Sequence, residues 1–214
     1  MEESRELVRS NEADSNTVTI SVKDIFTIPN AMSLVGGKLT WDGAENLESV
    51  SSLAQVIIGR SVDVADGAVA RATGQTSNVG AAVDAITDKV VTLKLLYEIL
   101  KKGAAPKSVI GTIAVLNTTN AIATGIAKLR GKHKGETRPT KSGKLAMAGE
   151  TLALFAYAGA YTAEHNDKSE LAETLRTIGR TAFIASLPLA AHASWTYIKR
   201  AIFGGNSDDD TPES

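Results

Sequence analysis

Apolar residues recur along the chain at intervals of three and four, and no stretch sustains the every-second-residue alternation of a half-buried strand. That periodicity predicts helices, and glycine and proline mark where they start and stop. Six segments result: 29–47, opened by Pro29-Asn30; 49–73, stopped by Gly74; 78–102, stopped by Gly103; one from Pro106 to near Gly131; 142–162; and 169–203, with a break or kink expected at Pro188. A short amphipathic piece at 18–27 precedes the first segment as a candidate interfacial helix. Residues 1–20 mix charges with Ser, Asn and Thr and read as a flexible tail, without the apolar stretch of a signal peptide. Residues 204–214, GGNSDDDTPES, read as a disordered acidic tail, leaving 21–203 as one domain.

The distribution of charge raises the question of a membrane. Residues 108–127 carry no charge, 181–198 carry none, and 145–163 carry one, Glu150. Each of these lengths is close to the ~20 apolar residues that cross a bilayer core as a helix. The other three segments carry central charges, which cost roughly 2.5–3.5 kcal/mol each on an insertion scale and are tolerated only toward a bundle interior or a watery cavity. The loop at 128–144 holds seven Lys or Arg against one acid, and Lys199 and Arg200 follow the last uncharged span, 181–198, on the same side. With six spans, that bias puts both termini in the cytoplasm. A soluble helical bundle with one basic loop is the alternative on hydropathy alone. Mean hydropathy, −0.03, lies between the two classes.

Composition removes other classes. With no cysteine in 214 residues, the chain has no disulfide, thiolate metal site or cysteine nucleophile. A net charge of −1 argues against a nucleic-acid partner. Few aromatics and many small residues suit closely packed helices.

The chemistry concentrates in 63–88. Asp63 and Asp66 are three apart and share a helix face; Gly80, Asp84 and Asp88 are each four apart and line one face of the next segment. A turn at 74–77 allows the two segments to pack antiparallel, so that the four carboxylates converge. Four carboxylates in one place repel unless cations intervene. Two divalent cations balance them, and oxygen-only ligation favours Mg²⁺ or Mn²⁺, with Ca²⁺ a further occupant. Such a site is suited to a pyrophosphate. Gly67, Ala70 and Gly80 leave room for a ligand, and Arg71 offers a donor fork for phosphate. For a single Asp a solvated helix face is the commoner explanation. For eight specified residues at these spacings, chance is on the order of one in 10⁹–10¹⁰ per start position.

Asp63, Asp66, Gly67, Ala70, Arg71, Gly80, Asp84 and Asp88 match D-x2-D-G-x2-A-R-x8-G-x3-D-x3-D without gap or substitution, and in this the chain resembles the CDP-alcohol phosphatidyltransferase family. Pro29-Asn30 and the stretch Arg138-Pro139-Thr140-Lys141-Ser142-Gly143-Lys144 agree with it, so the resemblance covers about 25–203. It implies an all-α, dimeric six-helix transmembrane bundle, integral to the cell membrane with its active site on the cytoplasmic side. It also implies a reaction in which an alcohol displaces CMP from a CDP-linked lipid, with CDP-diacylglycerol as the donor. Asp63, Asp66, Asp84 and Asp88 would hold two Mg or Mn ions, and Asp88 would also be the general base. Asp66, Gly67, Ala70, Arg71 and Gly80 would line the CDP pocket.

The basic loop supplies candidate acceptor residues, Arg138, Lys141 and Lys144, which suit a phosphorylated alcohol such as glycerol 3-phosphate or, next, inositol phosphate. The same residues suit a loop lying against anionic headgroups. Arg60, one turn before Asp63, either contacts a phosphate or offsets the aspartates. Lys94 and Glu98, four apart, are placed to pair. His192 is expected to be hydrogen-bonded rather than catalytic, and Trp41, Trp195 and Tyr197 are candidates for interfacial anchors or, equally, for core packing. The first segment, 31–47, is more polar than the family's first span. A catalytically silent or water-adapted bundle that keeps the metal and CDP motif is therefore the competing expectation.

Overall fold

The computed structural model describes residues 27–74, 78–129 and 140–203. The tail regions 1–20 and 204–214, the amphipathic piece apart from Thr27, and most of the basic loop, including Arg138, lie outside them. Among the described residues the chain forms six helices and no strand: α1 (Ile28–Glu45), α2 (Val50–Ala72), α3 (Asn78–Lys102), α4 (Lys107–Leu129), α5 (Lys141–Glu164) and α6 (Ser169–Phe203).

Local chemistry explains the boundaries. Thr27 caps α1 by accepting a bond from the Asn30 N–H, and Pro29 sits in the first turn, where its missing N–H costs nothing. Thr140 caps α5 in the same way, accepting from the Gly143 N–H at 3.0 Å. Gly74 (φ +65°) and Gly103 (φ +68°) adopt the left-handed backbone that stops α2 and α3. Pro188 lies inside α6, which continues as helix through it rather than ending there. Its missing N–H removes one backbone bond.

The helices pack as two trios. In the first, α2 and α3 make their main contacts with α1; in the second, α4 and α5 both pack on α6. The trios meet along α2–α5 and α3–α4. The two segments that carry the aspartates are thus held side by side by α1 more than by each other, a part that the intervening turn alone did not foretell.

That role accounts for the small residues of α1, whereas its charges, Lys38, Asp42 and Glu45, are exposed. Beyond Pro29 and Asn30 in the first turn, its buried positions are Ser33, Gly36, Gly37, Thr40, Gly43 and Ala44, all small. A Cβ on Gly36 would lie 2.7 Å from the Gly59 carbonyl oxygen of α2, and one on Gly37 would lie 2.8 Å from the Thr87 methyl of α3. Small residues let both neighbours approach closely, as in helix pairs that lack a hydrophobic drive to associate. The large apolar residues of α1, Leu34 and Val35, point outward and are more than half exposed. The same inversion runs through the chain, with Ile58, Val115, Ile122, Ile184 and Trp195 exposed over an interior rich in alanine and glycine.

The larger apolar core sits at the end of the bundle away from the aspartates. Leu47, Val56, Leu95, Ile99, Ile113 and Leu154 meet there. Polar bonds tie the same end together. Glu48, in the α1–α2 turn, accepts bonds from the Tyr161 hydroxyl (3.1 Å) and Lys102 Nζ (3.3 Å). Asn166 donates to the Glu48 carbonyl, and Thr162 to the Leu47 carbonyl. Lys94 pairs with Glu98, as its spacing predicts, and also with Glu45.

The Tyr161 hydroxyl, and then Lys102, hold the Glu48 carboxyl below its ordinary value. A carboxyl lowered on folding contributes stability above its unfolded pKa and loses that contribution as pH falls through the folded value. Glu48→Gln is therefore expected to lower the melting temperature slightly at neutral pH. The gap from wild type should close as pH drops below the usual carboxylate range. Melting curves of both proteins across pH check this, and a gap that widens in acid contradicts it.

Candidate active site

At the opposite end, the helix periodicity places Asp63 and Asp66 on one face of α2, and Asp84 and Asp88 on one face of α3. Carboxylate oxygens of Asp63, Asp66 and Asp84 lie within 4.8 Å of one another. Asp66 is the most enclosed of these, 3% exposed, and receives a hydrogen bond from the Ser33 hydroxyl of α1. The Ser33 hydroxyl oxygen also lies 3.1 Å from the Pro29 carbonyl oxygen, its one proton shared between the two acceptors. The cluster is thus built on three helices: two supply carboxylates, and the third lies beneath them and orients one.

Asp88 stands beside this cluster. Its Oδ1 is 2.8 Å from Arg60 Nη2, while Arg60 Nη1 is 3.1 Å from Asp63. Arg60 therefore bridges the cluster to Asp88. Thr92 lies one turn on, its hydroxyl 3.5 Å from the same Asp88 oxygen, and Lys89 is 3.5 Å from the other oxygen. Arg60 thus offsets the aspartates, one of the two roles that the sequence left open for it.

The donor set suits hard divalent cations. It consists of carboxylate oxygens alone, two of them on one helix and one on another, with no nitrogen or sulfur ligand in the group. Three acids this close repel unless positive charge lies among them, and the Arg60 guanidinium is already shared between Asp63 and Asp88.

The remaining expected residues fall around the cluster. Gly67 follows Asp66 on α2, and a Cβ there would lie 3.5 Å from Arg71 Nη1. Ala70 is half-buried and Arg71 exposed in the last turn of α2; Gly80 is half-buried in the first turn of α3. Lys141 and Lys144 are exposed in the first turn of α5. The start of that helix is anchored by Tyr197 of α6, whose hydroxyl accepts from the Thr140 N–H at 3.2 Å. His192 is 3.1 Å from the Ser142 hydroxyl, a hydrogen-bonded histidine as expected. Trp41 is covered by Lys94, whose Nζ lies 4.8 Å from the ring centroid.

Two participants are not evident from spacing. Ser33 has no motif, and only proximity reveals its bond to Asp66. Glu150 of α5 accepts a bond from Asn117 of α4 at 2.8 Å, on a wall facing Asp88. Its one sequence signal is that it is the lone charge in an otherwise uncharged stretch.

The chain matches the family model described as CDP-alcohol phosphatidyltransferase over residues 18–192. No curated protein and no solved structure matches it. A match across most of the chain, with the motif's aspartates gathered on neighbouring helices, establishes that this protein belongs to the CDP-alcohol phosphatidyltransferase family.

Proposed function

We propose that the protein transfers a phosphatidyl group from CDP-diacylglycerol to a small polar alcohol, releasing CMP, with glycerol 3-phosphate the preferred acceptor and inositol phosphate next. Family membership supplies the reaction type, a CDP-alcohol donor and an alcohol acceptor. The observation that carries the reading is the convergence of Asp63, Asp66 and Asp84 within 4.8 Å.

Asp63, Asp66 and Asp84 would hold divalent cations, Mg²⁺ or Mn²⁺, with Asp88 completing a two-ion site. Bound there, the cations supply positive charge that neutralises the pyrophosphate and stabilises the oxygen on which CMP departs. Ser33 fixes the Asp66 carboxylate for this task. Gly67, Ala70 and Gly80 leave space for the nucleotide, and Arg71 faces its phosphates. Asp88 takes the proton of the acceptor hydroxyl as that oxygen attacks the β-phosphorus. The new phosphorus–oxygen bond forms as the bond to the CMP oxygen breaks. Arg60 holds Asp88 against the cluster, so that base and donor share one site.

We place the enzyme in the cell membrane with six spans and both termini and the active site cytoplasmic, acting as a homodimer. Family members are typically membrane-associated. Among the described residues one helix, Lys107–Ala127, is long and apolar enough to cross a bilayer by itself, with a mean hydropathy of 1.4. Only 22% of its apolar window is buried within the chain. A soluble protein buries its most apolar helix, whereas this chain turns it outward together with many other large apolar side chains. The polar residues that are buried, among them Ser33, Thr40, Asp66, Glu98 and Glu150, lie between the helices.

The deciding experiment measures CMP release from CDP-diacylglycerol by the purified chain with Mg²⁺ or Mn²⁺ and a panel of alcohols. Chelation is expected to abolish release and either cation to restore it. Activity that survives exhaustive chelation sinks the metal-dependent reading. Recovery of monodisperse protein without detergent sinks the membrane assignment.

A further inference from the structure

Between the two trios, next to Asp88, lies a cavity of about 50 Å³. Arg60, Asp88 and Thr92 line it from the first trio; Asn117, Glu150 and Thr151 line it from the second. Space of that size admits about three or four waters, or the polar end of a small molecule, but no acyl chain.

Glu150 is the unexplained member of this wall. It is 6% exposed, and among the described residues no Lys or Arg lies within ion-pair distance of it. Its hydrogen-bond partner is Asn117 Nδ2, which also donates to the Ile113 carbonyl at 3.0 Å. Both amide hydrogens of Asn117 are thereby engaged, and the amide holds one carboxyl oxygen of Glu150 in place. A buried carboxyl with a single neutral donor is expensive to maintain at this depth. Placing it on a cavity wall across from the proposed base gives it a use that packing does not.

The geometry points to Glu150, oriented by Asn117, as the residue that accepts a hydrogen bond from a second donor group of the acceptor alcohol, a hydroxyl or an ammonium, while the reacting hydroxyl faces Asp88. This rests on the transferase reading above and narrows its substrate class. The acceptor carries at least two donors, as a polyol or an amino alcohol does, and any phosphate it bears lies away from the Glu150 wall. A Gln in this place would turn its carbonyl to Asn117 and present its NH₂ to the cavity, a donor where an acceptor is needed.

The test compares acceptors differing by one donor in CMP-release assays on the full chain in lipid nanodiscs. The pairs are glycerol 3-phosphate with 3-hydroxypropyl phosphate, serine with 3-hydroxypropanoate, and inositol phosphate with its monodeoxy analogues. With wild type, loss of the second donor is expected to raise the acceptor KM about tenfold. In Glu150→Gln that difference should vanish, while the KM for CDP-diacylglycerol stays within about twofold. Asn117→Ala leaves the carboxyl present but unheld, and should raise the KM of the donor-rich acceptor about two- to fivefold. It serves equally if Glu150→Gln does not fold. An undiminished donor penalty in the variants overturns the assignment of Glu150 while leaving the transferase standing. Wild type that releases no CMP with any acceptor overturns both.

Discussion

Asp66→Asn is expected to reduce CMP release by a factor on the order of 10²–10³ or more, the scale on which one preorganised charge interaction in a transition state matters. Of the motif's aspartates it is the most enclosed, and α1 holds it through Ser33. The substitution removes a negative charge and replaces one oxygen ligand by an NH₂ group, which does not bind a hard cation. Mn²⁺ binding, followed by paramagnetic resonance on the purified protein, should weaken in parallel with turnover. Ser33→Ala should weaken it about tenfold, since it frees the carboxylate without removing it. Asp88→Asn is expected to abolish turnover as completely while costing less Mn²⁺ affinity, because Asp88 stands beside the three-carboxylate group with Arg60 as its partner. Wild-type-like turnover in either aspartate variant would falsify the mechanism.

Gly36→Ala should damage stability and activity together. The added Cβ would lie 2.7 Å from the Gly59 carbonyl and 3.3 Å from the Asp63 backbone nitrogen. Neither is the movable end of a side chain, so α2 has to shift away from α1, at a cost of ~1–3 kcal/mol. The shift carries Asp63 with it. Gly111→Ala and Gly125→Ala are the controls: nothing lies within 4 Å of a Cβ at either position. In those helix interiors alanine is favoured by up to ~1 kcal/mol. Thermal midpoints and CMP release of the three variants decide the matter. A Gly36→Ala protein as stable and active as the controls would show that the two helices do not meet as closely as described.

How much of this was legible in the residues depends on whether a feature is local. Helix limits were, because Gly74 and Gly103 stop the chain wherever they stand, and Thr140 caps whatever follows it. The aspartates were, since three- and four-residue spacings become shared faces on any helix. The partner of α1 was not. Ser33, Gly36, Gly37 and Thr40 look like a weak helix until α2 and α3 are laid against them; they form an interior face, while the charges that made 31–47 a poor span, Lys38, Asp42 and Glu45, lie on the exposed one. The bonds of Ser33 to Asp66 and of Asn117 to Glu150 each join residues 33 positions apart, and no periodicity reaches so far. Pro188 does not break α6, because a long helix packed along two neighbours tolerates one missing bond.

The division into trios has a consequence for how such a protein changes its chemistry. Every motif residue, together with Ser33 and Arg60, lies before residue 103, on α1–α3, while Asn117, Glu150 and Thr151 belong to α4–α6. If the wall contributed by the second half selects the alcohol, then nucleotide handling and acceptor choice are written in separate, consecutive stretches of one chain. A graft of 107–203 from a relative with a different product would then exchange the headgroup and leave the donor chemistry untouched. Diversification of lipid headgroups would need only half a protein to drift.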